Sequence, residues 1–126
     1  AGTHGSTYGG NPLACAVGCA VLANVADEAF LAEVRRKSAV FKQKLGGLIV
    51  AHSDVFDSLR GEGLMLGLKC KCTNTDMVAA GYEALVITVP AADNVIRLLP
   101  PLNITDDEIE LAIGRLDQAA LRLKSK

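Results

Sequence analysis

The stretch from Pro12 to Ala26 constrains the fold of this chain most, because it predicts a helix that is apolar almost all the way round. Its residues are mainly alanine, valine and leucine, and Asn24 is the one strongly polar residue among them. A helix without a polar face must be covered on every side, and a small domain offers few places for that. The sequence therefore predicts that this helix packs against more protein, either a larger domain or a second subunit.

The segment from His4 to Pro12, which leads into this helix, combines three glycines with the aliphatic hydroxyls of Ser6 and Thr7. Glycine lets backbone N–H groups approach a ligand closely, and Ser6 and Thr7 add side-chain donors that suit an anion such as a phosphate. Asn11 is a favoured N-cap residue and Pro12 a favoured first helical residue, so the helix begins there. Spacing alone favours a plain glycine-rich turn over an anion-binding loop.

Composition excludes several classes of partner. The chain has 126 residues, enough for one hydrophobic core, and a formal net charge of −1. That balance gives no electrostatic reason to expect nucleic acid or an anionic membrane as a partner. The longest apolar stretch is too short for a confident membrane span, and no charged region precedes it as in a signal peptide. We therefore expect a cytoplasmic protein with reduced thiols.

The four cysteines have a simpler explanation than a metal site. Cys15 and Cys19 would share one helix face, while Cys70 and Cys72 would alternate on a strand. Neither pair has the tight spacing that zinc sites usually take from a C-x2-C knuckle. We expect no metal, and we expect Cys15 and Cys19 to be small buried thiols.

The remaining pattern predicts an α+β fold. Apolar steps of three and four residues predict a second helix from Glu28 to Leu45, ended by Gly46-Gly47. Thr105 and Glu108 form a capping box that begins a last amphipathic helix. Between them the sequence predicts strands around 56–59 and 64–68 joined near Gly61 and Gly63, a short helix at 76–84, an apolar stretch at 85–89, a turn at 90–94 and a strand at 95–99.

Arg97 is the candidate binding residue, because it stands in the otherwise apolar run from Val95 to Leu99. Arginine is seldom buried without a partner, and its planar guanidinium matches a carboxylate with two parallel hydrogen bonds. A ligand role competes with two plainer ones, an exposed arginine on a half-buried strand or one paired with an internal carboxylate. The local pattern alone favours the plainer roles.

Three segments in order resemble the class III, or ornithine-type, aminotransferases that use pyridoxal phosphate. They are HGSTYGGNPLACA at 4–16, LRGEGLMLG at 59–67 and IRLLPPL at 96–102. The resemblance implies the C-terminal small domain of a fold-type I enzyme, an α+β domain whose small, mostly antiparallel sheet is packed by helices. It also implies that residues 1–11 end a loop of the cofactor domain and that residues 12–126 form the small domain with its leading helices.

The same resemblance assigns roles to particular residues. Arg97 matches the arginine that holds the α-carboxylate of the amino acid or of 2-oxoglutarate. Thr7, with Ser6 beside it, matches the hydroxyl pair that reaches the pyridoxal 5′-phosphate of the neighbouring subunit in a homodimer. The roles of His4 and Tyr8 stay open between ligand contact and packing. Arg60 is expected to position a turn through an internal pair.

No catalytic residue is expected within this chain. None of its lysines lies in the kind of glycine- or serine-rich pocket loop where desolvation lowers a lysine pKa. The lysine that attaches the cofactor in this family lies upstream of the matched region. The resemblance therefore implies that the chain alone is inactive and does not bind the cofactor stably.

The reaction implied by the resemblance moves an amino group from N2-acetylornithine to 2-oxoglutarate, giving glutamate, as in arginine biosynthesis. Other donors used in the family remain open, namely ornithine, succinylornithine, 4-aminobutyrate and succinyl-diaminopimelate. A non-catalytic binding module is the alternative from a different class.

Overall fold

The computed structural model describes residues 5, 7 and 9–124, and the chain divides into two compact units, residues 1–33 and 34–126. Four helices and four strands follow one another along the described residues. They are α1 (Pro12–Val25), α2 (Glu28–Ala51), β1 (Phe56–Glu62), β2 (Met65–Cys70), α3 (Asn74–Glu83), β3 (Val89–Ala91), β4 (Val95–Leu98) and α4 (Asp106–Lys124).

Helix α1 of the first unit begins where its sequence predicts. The Asn11 side chain accepts hydrogen bonds from the N–H groups of Leu13 and Ala14, at 3.0 and 3.2 Å, and Pro12 is the first helical residue. No residue of α1 is buried, and the Leu13 side chain is 75% exposed. The described residues therefore do not supply the cover that an apolar helix requires.

The prediction that Cys15 and Cys19 are buried is wrong, because both are exposed. Both thiols lie on α1, so they share the exposure of the whole helix. Residue type alone predicts burial of these thiols, but burial depends on a covering element as well as on an apolar side chain.

The second unit contains one antiparallel sheet with the strand order β1-β2-β4-β3. β2 pairs with β1 on one side and with β4 on the other, so that Leu68 lies opposite both Leu59 and Ile96. The core contains strand residues from one sheet face together with residues of α2, α3 and α4. Its most completely buried members are Phe41, Leu45, Phe56, Leu66, Leu68, Met77, Ile96, Ile109 and Leu116. The α+β class and the antiparallel sheet are as predicted.

The predicted end of α2 at Gly46-Gly47 is wrong, since the helix continues to Ala51. Glycine in a helix interior costs about 1 kcal/mol relative to alanine. Leu48 lies beyond both glycines and is only 5% exposed, within the same core as Leu45. Burial of a leucine side chain stabilises by about 1.5–3 kcal/mol, which offsets the glycine cost.

Two smaller boundaries also differ from the prediction. α3 begins at Asn74, two residues early, because the Thr73 side chain caps it by accepting from the N–H of Asp76. Pro90, predicted to begin a turn, instead lies in β3 opposite Ile96. β3 is an edge strand, where a residue without an N–H is tolerated.

The predicted capping box at the start of α4 is confirmed. Glu108 accepts from the backbone N–H of Thr105 at 2.7 Å, and the Thr105 hydroxyl accepts from the N–H of Glu108 at 3.2 Å. These hydrogen bonds satisfy donors that a helix start otherwise leaves open. They also lower the pKa of the Glu108 carboxyl, the backbone N–H of Thr105 being the largest cause.

Among the described residues, no single helix is long and apolar enough to cross a membrane. Helices α1 and α2 meet the length and composition criteria only as a pair with a bend between them.

Candidate substrate and cofactor site

The outer face of the sheet, opposite the core, carries the candidate binding residue. Successive residues of β4 alternate between faces, so Ile96 and Leu98 are buried while Arg97 between them is exposed. The register places Arg97 opposite Gly67 of β2, and Gly67 opposite Arg60 of β1. Two arginines therefore flank one glycine in a single row across three strands.

A shallow open groove of about 140 Å³ follows this row, and both arginines line it together with Gly67. Gly67 matters here because it has no side chain. A Cβ added to Gly67 would lie 2.7 Å from Cγ1 of Val95, which also lines the groove. Any larger residue at this position would both displace Val95 and occupy space between the arginines.

The Arg97 side chain makes no hydrogen bond or ion pair with any residue that the structure describes. The interpretation of Arg97 as an internally paired arginine therefore finds no partner in residues 5, 7 and 9–124. What remains is an exposed guanidinium over a groove, with all its donors available to a planar anion such as a carboxylate.

Arg60, in contrast, has an internal partner. Its guanidinium lies 2.5 Å from Asp93, which sits in the turn between β3 and β4 with a φ of 62°. Lys69 approaches the same carboxylate at 3.4 Å. The hydrogen bond and the charge of Arg60 hold the pKa of Asp93 below its usual range. The expected internal pair of Arg60 is confirmed, and its partner Asp93 lies in a turn. No local sequence pattern identifies Asp93 as that partner.

The proposed phosphate-contact segment lies in the first unit, and the structure describes only part of it. Ser6, His4 and Tyr8 fall outside the described residues. Thr7 lies in a turn and is exposed. Gly10 has a φ of 77°, a conformation that glycine adopts without strain. The available donors are neutral, a hydroxyl and backbone N–H groups, and this donor set fits the phosphate of pyridoxal phosphate.

Each described lysine has an interaction partner within this chain. Lys71 donates to the carbonyl of Ser53 at 2.7 Å, and Lys37 also has an interaction partner. The others form ion pairs: Lys42 with Glu62, Lys44 with Glu110, Lys69 with Asp93 and Lys124 with Asp54. No described lysine is buried, so none has the desolvated surroundings of a lysine that attacks an aldehyde.

Two titratable groups, Cys70 and His52, are buried and do not line the groove. Burial raises the pKa of the Cys70 thiol to about 12, so it stays protonated and unreactive at neutral pH. His52 is buried, and its Nε2 lies 2.6 Å from a carboxylate oxygen of Asp117. Within the part of the chain that the structure describes, no three histidine, cysteine or acidic side chains cluster closely enough to hold a metal ion.

Comparison with known proteins assigns the family. The family described as Aminotransferase class-III matches residues 1–120. The acetylornithine aminotransferase of Rhodobacter capsulatus is 52% identical over the whole chain, which corresponds to 32% of that protein. The enzyme of the same name from Mesorhizobium japonicum is 51% identical over 95% of the chain and 30% of its own length. The chain thus spans about a third of the relatives that it matches.

Solved structures agree with these relatives. The N-acetylornithine aminotransferase of Stenotrophomonas maltophilia superimposes with a TM-score of 0.84 at 30% identity, over 92% of this chain and 33% of that one. The ornithine aminotransferase of Toxoplasma gondii superimposes with a TM-score of 0.82 at 33% identity, over 98% of this chain and 30% of that one. The sequence match over nearly the whole chain and the shared fold together place this chain in the class III aminotransferase family.

Proposed function

We propose that the full-length protein transfers the amino group of N2-acetylornithine to 2-oxoglutarate with pyridoxal phosphate as cofactor. The family and the names of its relatives support a transaminase with this donor. One observation supports a role for this chain in substrate binding: the guanidinium of Arg97 is unpaired among the described residues and lies at the groove that Gly67 also lines. A cytoplasmic homodimer, with arginine biosynthesis as its setting, completes the proposal.

Arg97 acts in this proposal as the carboxylate anchor for 2-oxoglutarate and for the glutamate formed from it. In both molecules the α-carboxylate is bonded to the carbon that gains or loses the amino group, whereas N2-acetylornithine carries the acetyl group on its α-nitrogen and gives up its δ-amino group. One guanidinium that binds the α-carboxylate of 2-oxoglutarate or glutamate with two parallel hydrogen bonds therefore orients the reacting carbon. A lysine at this position would keep the charge but lose the planar, two-point geometry.

Thr7, with Ser6 beside it, acts in this proposal as a phosphate contact for the cofactor of the partner subunit. The cofactor, when bound, supplies the electron sink for proton transfer at the substrate carbon. The Thr7 hydroxyl donates to a phosphate oxygen and helps to fix the orientation of the ring. Residues 1–11 then belong to a loop of the cofactor domain, and residues 12–126 form the small domain with its leading helices.

The isolated chain has no transaminase activity in this proposal, since no described lysine is placed to attach the cofactor. Pyridoxal phosphate added to it should give no specific borohydride-trappable lysine adduct. A stoichiometric adduct at one lysine of this chain would contradict the proposal that the cofactor-attachment lysine lies in another part of the full-length protein.

Arg97→Lys in the full-length protein tests the function. The kcat/KM should fall for 2-oxoglutarate, and for glutamate as amino donor in the reverse reaction, by on the order of 2 kcal/mol or more, about thirtyfold, while the cofactor content stays near one per subunit. Arg115→Lys is the matched control, because Arg115 donates to the backbone carbonyl of Leu85 and lies outside the groove. Unchanged kinetics of Arg97→Lys with both 2-oxoglutarate and glutamate would refute the carboxylate role.

Ornithine is the second candidate donor, because an ornithine aminotransferase superimposes almost as well as the acetylornithine enzyme. A panel of the donors used in the family decides between them. A higher kcat/KM for N2-acetylornithine than for ornithine supports the proposal, and the reverse order replaces the donor without changing the role of Arg97.

A further inference from the structure

Arg60 is a second cation at the same groove. It lines the groove together with Arg97, and the pairing of each with Gly67 places them on the same sheet face. Neighbouring strands lie ~4.8 Å apart, so the two Cα atoms across β2 are separated by roughly 10 Å. Because Gly67 has no side chain, nothing on the central strand of this row stands between the two guanidinium groups.

The surroundings of the two arginines differ in one respect. Arg97 has no counter-ion among the described residues, whereas Arg60 is held by Asp93 at 2.5 Å. Asp93 lies in a turn that is tied into the sheet: its neighbour Asn94 donates from its side chain to the carbonyls of Cys70 and Cys72, each at 2.7 Å. The carboxylate is therefore fixed by the fold, and it in turn fixes the Arg60 side chain.

The charges of the groove add up to a small excess of positive charge. The two lining arginines contribute two positive charges and Asp93 contributes one negative charge within ion-pair distance of Arg60. Lys69 adds a further positive charge, but it approaches Asp93 at 3.4 Å and does not line the groove. A single carboxylate placed on Arg97 therefore experiences the field of Arg60, weakened by Asp93.

We propose that Arg60 is an electrostatic residue of the carboxylate site at Arg97, and that Asp93 is the built-in counter-ion that limits its strength. This inference rests on the proposed function, because it takes the α-carboxylate on Arg97 as the ligand. Arg60 acts through its field at the groove, while Arg97 makes the direct contact. Asp93 keeps the groove from binding a carboxylate so tightly that the product is released slowly.

Neutral variants of Arg60 and Asp93 distinguish an electrostatic effect on the bound carboxylate from a purely structural role of the ion pair. Arg60→Gln removes positive charge, so the dissociation constants of 2-oxoglutarate and glutamate should each rise about fivefold for charges at this separation. Asp93→Asn removes negative charge and keeps a residue that tolerates the left-handed backbone, so the same constants should fall about twofold. The double variant should lie between the two.

Single-turnover half-reactions of the full-length holoenzyme supply the measurement, because they give the dissociation constant apart from the chemical rate. Arg36→Gln is the matched control, since Arg36 is also an exposed arginine paired with an aspartate, Asp106, at 2.8 Å, and neither of these residues lines the groove. It should change either constant by less than twofold.

Two results would overturn the inference. If Arg60→Gln leaves the constants unchanged, Arg60 has no field at the site. If Arg60→Gln and Asp93→Asn both raise them, the pair acts only by holding the turn in place. If Arg97→Lys weakens substrate binding, either result refutes only the role of Arg60 and leaves the proposed function intact. If Arg97→Lys binds the substrates normally, the proposed role of Arg97 is refuted as well.

Discussion

The two faces of β4 show how one short strand serves stability and binding separately. Ile96 points into the core and is 0% exposed, while Arg97, the next residue, is exposed over a groove on the opposite face. The inner face is filled by apolar side chains from β2, β4 and three helices. The outer face keeps a glycine between two arginines. The difference indicates that the inner face fixes the position of the strand and the outer face uses that position.

The largest expected effect separates these faces by stability. Ile96→Ala leaves a cavity in a closed core and should lower the free energy of opening of the sheet by about 2–5 kcal/mol. Arg97→Ala removes an exposed side chain and should change it by less than ~0.5 kcal/mol. Hydrogen exchange of the β2 and β4 amides in the full-length protein measures both. Equal destabilisation by the two variants would show that Arg97 is also a packing residue.

A second prediction places the cofactor contact outside the sheet. Thr7→Ala in the full-length dimer should raise the dissociation constant of pyridoxal phosphate roughly tenfold or more, because a hydrogen bond to a charged group is worth about 1.5–3 kcal/mol. Binding of the substrate carboxylate, assigned to the outer face, should change little at saturating cofactor. Hybrid dimers test whether the contact crosses between subunits.

Such a hybrid pairs a Thr7→Ala chain with a chain that lacks the upstream attachment lysine. If the contact crosses between subunits, the lysine-bearing site receives an intact Thr7 from its partner and should bind cofactor normally. Weak binding at that site would place the contact within one subunit instead.

A third prediction concerns the floor of the groove. Gly67→Ala introduces a Cβ that would lie 2.7 Å from Cγ1 of Val95, so we expect a loss of about 1–3 kcal/mol in sheet stability and weaker binding of 2-oxoglutarate and glutamate. Gly47→Ala is the matched control, because a Cβ there meets nothing within 4 Å in the helical part of α2. That variant should stabilise the helix by up to ~1 kcal/mol. Tighter substrate binding in Gly67→Ala would contradict the proposal that the substrate carboxylate binds in this groove.

The smallest expected effect is a pH dependence at the edge of the outer face. Arg60 lowers the pKa of Asp93, so the pair contributes stability that is present above the unfolded pKa and is lost as pH falls through the folded pKa. The difference in stability between the wild type and Asp93→Asn should therefore be constant near neutral pH and shrink below about pH 4. A difference that grows on acidification would contradict the direction of the shift.

The sequence predicts the parts of this fold that depend on local chemistry. Asn11, Thr105 and Glu108 cap helices as expected, because capping uses residues within one turn of the helix start. The continuation of α2 through Gly46-Gly47 was missed, since it depends on the burial of Leu48 in the core. The Arg60–Asp93 pair was missed for a similar reason. Its members are far apart in sequence, and only the sheet register brings them together.

For the site, the sequence and the resemblance named Arg97, but neither identified what surrounds it. The role of Gly67 follows from its position between two arginines on neighbouring strands, which no periodicity along one strand reveals. The exposure of Cys15 and Cys19 shows a second limit, since residue type predicts burial that the described residues do not provide. Residue type predicted burial correctly only where the described residues supply a covering element.

Restoring the function of Arg97→Ala with a free guanidinium compound tests the central claim most directly. Holoenzyme carrying this substitution is mixed with glutamate, and its amine form, prepared with excess amino donor, is mixed with 2-oxoglutarate. Each reaction is run with and without methylguanidinium, and the cofactor spectrum is followed through one turnover. We expect both half-reactions to weaken by tenfold or more and to recover partly with methylguanidinium, because the added cation replaces the missing contact to the carboxylate. Arg115→Ala should show neither effect. Normal half-reactions in Arg97→Ala would contradict the account.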